Sequence, residues 1–172
     1  PQLSNLTTLA ISSNFLSGSI RNFTSPLVFL SLNHNYISGL VPTLPNSLAV
    51  LDLAQNRFSG PLDLCGLTNA HILRLGVNML SSSIPACVWQ MSTLELLTLR
   101  QNRLTGQVWN TTVNLPHLHT LSIGRNALTG RLVSWINMTS LVTLDVASNR
   151  FSGSLPQFCN ADEPFNSSLR HL

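Results

Sequence analysis

Lysine is absent from this 172-residue chain; all nine basic residues are arginine. Acids are scarce as well, six in all, and charged residues make up 9 % of the chain against roughly 25 % in an average soluble domain. A formal net charge of +3 is too small for a strongly basic nucleic-acid binder. An apolar content of 44 % excludes a chain kept disordered by its charge. No run of 18 apolar residues occurs, so nothing reads as a membrane-crossing helix. Pro1-Gln2-Leu3 has neither a basic start nor an apolar run, so no secretory signal is read there. The polar surface must come from Ser, Thr and Asn.

What is present is an internal repeat. Leu-x-Leu-x-x-Asn, with Ile or Val at the second Leu in some copies, begins at Leu9, Leu30, Leu51, Leu73, Leu97, Leu121 and Leu144. It ends at Asn14, Asn35, Asn56, Asn78, Asn102, Asn126 and Asn149, in steps of 21, 21, 22, 24, 24 and 23 residues. Two places after each Asn stands an apolar residue (Leu16, Ile37, Phe58, Leu80, Leu104, Leu128, Phe151), and Ser or Thr follows every time. Gly comes next in six copies, and Ser82 takes its place in the fourth. A further aliphatic closes the unit at Ile20, Val41, Leu62, Ile84, Val108, Leu132 and Leu155, and Pro42, Pro85 and Pro156 follow three of these.

Alternation makes Leu-x-Leu a short strand with one buried face. A single coil of this length cannot bury that face, but stacked coils join the strands into a parallel sheet over a continuous core. The Asn stands where the chain leaves the strand, and its buried amide can satisfy backbone groups of its own and the neighbouring coil, forming a ladder. The Gly suits a tight bend with φ > 0.

The pattern resembles the leucine-rich repeat family. Asn14-Phe15-Leu16-Ser17-Gly18-Ser19-Ile20 and Asn149-Arg150-Phe151-Ser152-Gly153-Ser154-Leu155-Pro156 resemble its plant extracellular subfamily, although the first coils are short for it. The resemblance covers about residues 3–158. It implies an α/β-type repeat solenoid: an arc of seven coils with a concave parallel β-sheet and a convex side of loops and short 3-10 or helical turns. The whole of 1–172 reads as one such domain. Leu3-x-x-Leu6-x-x-Leu9 is a repeat already in progress, and Leu169-Arg170-His171-Leu172 resembles the start of an eighth copy after an interrupted stretch at 157–168. The expectation is a piece of a longer array, uncapped at both ends.

Cys65 and Cys87 each lie nine residues after their ladder Asn. Coils about 4.8 Å apart bring such positions within the roughly 4.4–6.8 Å Cα range of a disulfide; two buried thiols are the alternative. Cys159 has no partner in register, and the spacing is not that of a structural zinc site. Asn-x-Ser/Thr sequons occur at Asn5, Asn22, Asn110, Asn137 and Asn166, none of them a ladder Asn, as glycan-bearing surface positions require. Together with the family resemblance, these features point to an extracellular or outward-facing domain.

The sheet's outward columns can be read off. The residue within Leu-x-Leu runs Ala10, Ser31, Asp52, Arg74, Thr98, Ser122, Asp145. The residue before the first Leu runs Thr8, Phe29, Val50, Ile72, Leu96, Thr120, Thr143. Arg74, Arg100 and Arg125 drift diagonally across three successive coils, flanked by Asp52 and Asp145. Phe29, Val50, Ile72 and Leu96 form an apolar strip beside them. Arginines next to an apolar groove suit a peptide with a carboxylate or acidic side chain. A plain Arg74–Asp52 pair across neighbouring strands is the alternative. On the peptide reading, replacing Arg100 and Arg125 by Ala abolishes binding.

Catalysis is not expected. His34, His71, His117, His119 and His171 are scattered, the acids lie on separate coils, and the glycines follow the repeat rather than a phosphate loop. No cofactor or metal is implied. The resemblance implies a receptor-like protein or receptor-like kinase ectodomain that meets a peptide or protein ligand, with a co-receptor as a further partner. A secreted inhibitor of cell-wall-degrading enzymes, similar to the polygalacturonase inhibitors, is the alternative. A binder of ice or wall material would need a regular Ser/Thr column, and none is read on the sheet.

Overall fold

The computed structural model describes residues 3–108, 112–132 and 138–154. Each Leu-x-Leu motif forms a three-residue strand: β1 (Thr8–Ala10), β3 (Phe29–Ser31), β5 (Val50–Asp52), β7 (Ile72–Arg74), β9 (Leu96–Thr98), β11 (Thr120–Ser122) and β13 (Thr143–Asp145). They join in that order into one parallel sheet. The register is direct, Leu9 beside Leu30 and Leu30 beside Leu51, so equivalent residues of every coil share a column. Leu30, Leu51, Leu73, Leu97 and Leu121 are fully buried in the core. Truncating any one of them to Ala would cost about 2–5 kcal/mol, since neighbouring coils hold the cavity open.

The segment after each ladder Asn, which carries the bend-forming Gly, is itself a short strand. These are β2 (Ser17–Ser19), β4 (Tyr36–Gly39), β6 (Arg57–Gly60), β8 (Met79–Ser82), β10 (Arg103–Gln107), β12 (Ala127–Arg131) and β14 (Arg150–Ser152). They form a second seven-stranded parallel file on the flank of the first. Here the register slips by two residues per coil: Gly18 lies beside Ile37, Gly39 beside Phe58, and Gly106 beside Leu128. Gly18, Gly39, Gly60, Gly106 and Gly130 sit in these strands and Gly153 directly follows β14, all with φ between +80° and +109°, and Ser82 adopts the same left-handed region at +69°.

Among the described residues the one helical element is a 3-10 turn, Ala86–Gln90, which follows Pro85 and buries Val88 and Trp89. Cys87 of this turn is bonded to Cys65 of the preceding coil, with a Cα–Cα distance of 5.5 Å. Closing a loop of this kind contributes about 3 kcal/mol by restricting the unfolded chain. No helix among the described residues is long and apolar enough to cross a membrane. Leu155, Pro156, Cys159 and the segment 157–172 lie outside the described residues.

Candidate functional site

The Asn column is the frame on which the outward columns hang. The Asn35 side-chain amide donates to the carbonyls of Leu32 in its own coil and Ile11 in the coil before, both at 3.1 Å. Its Oδ1 accepts the Leu16 N–H at 3.0 Å. Asn56, Asn78, Asn102, Asn126 and Asn149 repeat the pattern; at Asn102 the partners are Leu75 O, Leu99 O and Leu80 N–H, at 2.9–3.0 Å. Each of these buried or half-buried amides therefore clamps two coils and joins the end of one strand file to the start of the other. Among the described residues the Asn14 side chain bonds only within its own coil, to Ile11 O and Ser12 O.

The residue before each ladder Asn is left-handed in all seven copies: Ser13, His34, Gln55, Val77, Gln101, Arg125 and Ser148, with φ of 53–58°. This turn lets two successive N–H groups reach the next coil, as Ser13 N–H to Asn33 O at 2.8 Å and Asn14 N–H to His34 O at 3.2 Å. The column shares no residue type, so no sequence signal marks it. It carries Arg125 to its place.

On the outer face of the first sheet, Phe29, Val50, Ile72 and Leu96 are register partners on four adjoining strands and are half-buried. Two residues along, Asp52 faces Arg74, but the two form no ion pair among the described residues. Asp52 is instead buried at 8 % exposure, accepting the Asn33 amide at 2.7 Å and the Ala54 N–H at 3.1 Å. Asp145 is held similarly by Ser122 Oγ at 3.0 Å and the Ala147 N–H at 3.1 Å. It meets Arg100, two coils away, with Nε–Oδ2 at 3.7 Å. Gly124 of the intervening coil makes this reach possible, because a Cβ there would lie 2.5 Å from Asp145 Oδ1. Arg74 and Arg125 have no carboxylate within ion-pair distance among the described residues.

Of the sequon asparagines, Asn5 and Asn22 are exposed, and Asn22 also accepts the Thr43 N–H at 2.9 Å. Asn110, Asn137 and Asn166 lie outside the described residues, as does His171. His71 Nδ1 is 2.9 Å from Glu95 Oε1, a contact across neighbouring coils that the sequence reading did not anticipate. Among the described residues no three His, Cys, Asp or Glu side chains gather as a metal site would require.

The fold and its ladder define the class: a solenoid of stacked parallel coils whose outward columns are free to vary. The Leucine Rich Repeat family model matches residues 26–48 and 140–161. Receptor-like protein 35 of Arabidopsis thaliana is 38 % identical over 103 residues, which cover 56 % of this chain and 10 % of that protein. Two solved structures superpose closely. The plant peptide hormone receptor RGFR1, solved in complex with RGF2, has a TM-score of 0.81 and 29 % identity, covering 90 % of this chain and 26 % of that one. The Arabidopsis receptor kinase HAESA, solved with the peptide hormone IDA and the co-receptor SERK1, has a TM-score of 0.79 and 28 % identity, covering 87 % and 26 %. In fold and in its matched repeats the chain is similar to the leucine-rich repeat regions of plant receptor-like proteins and receptor kinases. It spans about a tenth of the length of the curated relatives it matches.

Proposed function

We propose that this chain is a non-catalytic recognition module of a plant receptor-like protein or receptor kinase ectodomain. It acts outside the cell, and its first sheet meets a peptide or protein ligand, with a co-receptor as a further partner. On this reading residues 1–172 are one part of a longer repeat array, and Asn5, Asn22, Asn110, Asn137 and Asn166 are its glycosylation sites. The observation that carries the ligand site is the pairing of two features on one sheet face. Phe29, Val50, Ile72 and Leu96 form an apolar strip in register. Beside it, Arg74 and Arg125 lack carboxylate partners among the described residues, while Arg100 spends only Nε on Asp145. Asp52 and Asp145 serve the sheet's own backbone, so they fix the floor of the site rather than oppose a ligand carboxylate. A guanidinium binds a carboxylate with charge-assisted hydrogen bonds, and the strip accepts the neighbouring apolar side chain. Receptor ectodomains that superpose on this chain were solved with peptide hormones, which favours the receptor reading over a secreted inhibitor of wall-degrading enzymes.

The test is calorimetric titration with a library of short synthetic peptides that end in a free carboxylate. Arg100→Ala/Arg125→Ala, or amidation of the peptide terminus, should weaken binding about tenfold or more. Equal affinity of the double variant and the parent chain would overturn this site.

A further inference from the structure

Away from the first sheet, on the flank of the second, three residues of one column stack across three coils. The Phe15 and Tyr36 rings lie 19° from parallel with centroids 6.3 Å apart. The Arg57 guanidinium sits over Tyr36, its Cζ 4.9 Å from the ring centroid. Tyr36, with a coil on either side of it, is still 44 % exposed. Beside the stack runs a depression of about 350 Å³, walled by Phe15 and Tyr36 on one side and by Ser13, His34 and Gln55 on the other. That size is at the lower end for small-ligand sites.

The chemistry of the second wall selects the occupant. Ser13, His34 and Gln55 belong to the left-handed column, so a fixed backbone turn sets where each side chain starts. Their polar groups are uncharged or weakly basic and, with the Tyr36 hydroxyl, each can both donate and accept a hydrogen bond. The one full charge, Arg57, is committed to the Tyr36 ring. A proline-rich segment crossing an aromatic groove presents only carbonyl acceptors and would leave the acceptor capacity of this wall unused. A neutral sugar presents hydroxyls, which both donate and accept, and a C–H face that packs on the negative face of an aromatic ring. The hydroxyl file extends the match: Ser17 lies beside Tyr36 and Ser38 beside Arg57 in the slipped register.

We propose that Phe15, Tyr36, Ser13, His34 and Gln55 form a subsite for a neutral β-linked pyranose unit of an oligosaccharide. The two-residue slip keeps the Ser/Thr file from forming a flat hydroxyl lattice of the kind an ice surface would need, so the subsite is discrete. It occupies the first three coils, whereas Arg74, Arg100 and Arg125 stand on the fourth to sixth, and it is independent of the peptide reading.

The chain is titrated with cellohexaose, xylohexaose and chitohexaose, with decaproline as the competing chemistry, following Tyr36 and His34 ring resonances by NMR. The expected result is saturable shifts with at least one hexasaccharide and none with decaproline. Phe15→Ala should weaken that binding about tenfold, and so should Gln55→Ala, which leaves the aromatic stack in place. Arg103→Ala, in the same column two coils on, should change nothing. Unfolding transitions of the variants that match the parent show that the fold persists. Saturation by none of the three sugars, binding unaffected by both Phe15→Ala and Gln55→Ala, or binding to decaproline alone would each overturn the proposal.

Discussion

The two strand files are built from the same seven coils yet stack differently. In the first, equivalent residues lie side by side, Leu30 against Leu51 and Leu73. In the second, each coil is offset by two, so a glycine or Ser82 of one coil opposes the buried apolar residue of the next. Direct register produces columns, which is what a recognition face needs, because each column can vary without disturbing the core. The slipped file takes up the chain's change of direction and needs unusual backbone to do so. The Asn ladder is the joint between them, since each amide accepts from the first residues of one file and donates to the last carbonyls of the other.

Breaking the joint should have the largest effect. Asn102→Ala orphans the Leu80 N–H in a tightly packed region, while the Leu75 and Leu99 carbonyls each lose one of two amide donors and keep those of Asn78 and Asn126. At about 1–3 kcal/mol for the unsatisfied N–H and about 0.5–1 kcal/mol for each carbonyl bond lost, the expected loss is about 2–4 kcal/mol. Urea unfolding should show a lower midpoint with an unchanged slope. Asn14→Ala removes bonds within one exposed coil and should cost about 1 kcal/mol. Equal losses at the two positions would show that the ladder does not couple the coils.

The glycines sharpen the contrast between the files. Gly124 in the first file is required for space, because its absent Cβ leaves room for the Asp145 carboxylate. Gly106 in the second is required for conformation, at φ +84°, with the Ser83 Cβ 3.1 Å from where its own would stand. Replacing either by Ala should cost about 1–3 kcal/mol. The two costs should separate in double-mutant cycles. Asp145→Ala removes the obstacle and recovers much of the Gly124→Ala loss, apart from its own lost hydrogen bonds. Ser83→Gly recovers little at Gly106, because the backbone cost remains. Equal recovery at both sites would erase the distinction.

The difference between the files also explains what could be read in advance. Leu-x-Leu-x-x-Asn announces the first sheet because a buried face and a buried amide each demand a residue type. The Cys65–Cys87 distance follows from register alone. The second file escapes such reading: Ser17-Gly18-Ser19 has the composition of a bend, and its strand character comes from pairing with Tyr36–Ser38 on the next coil. The left-handed column escapes too, since Ser, His, Gln, Val and Arg all occupy it. The Arg100–Asp145 contact skips a coil through the gap at Gly124, and a neighbour-to-neighbour reading pairs Arg74 with Asp52 instead. The aromatic stack at Phe15 and Tyr36 lies in the second file, outside the columns that the Leu-x-Leu motif makes visible.

The smallest expected effects test the left-handed positions in each file. Val77 is a β-branched residue at φ +58°, a conformation that costs a typical L-residue about 1–2 kcal/mol, and its side chain is 39 % exposed, so little packing repays that cost. Asn accepts this region more readily, and Val77→Asn should stabilise the chain by about 1 kcal/mol. Val77→Gly should gain less, because glycine also frees the unfolded chain. Ser82 stands where six other coils have Gly, and its hydroxyl side chain is exposed. Ser82→Gly relieves a similar strain and pays a similar unfolded-state entropy, so its net gain should be only about 0.5 kcal/mol. The order Val77→Asn, then Val77→Gly, then Ser82→Gly in thermal unfolding would locate the cost in the turn before the ladder. The reverse order would locate it in the slipped strand, and the first file would then be the less strained of the two.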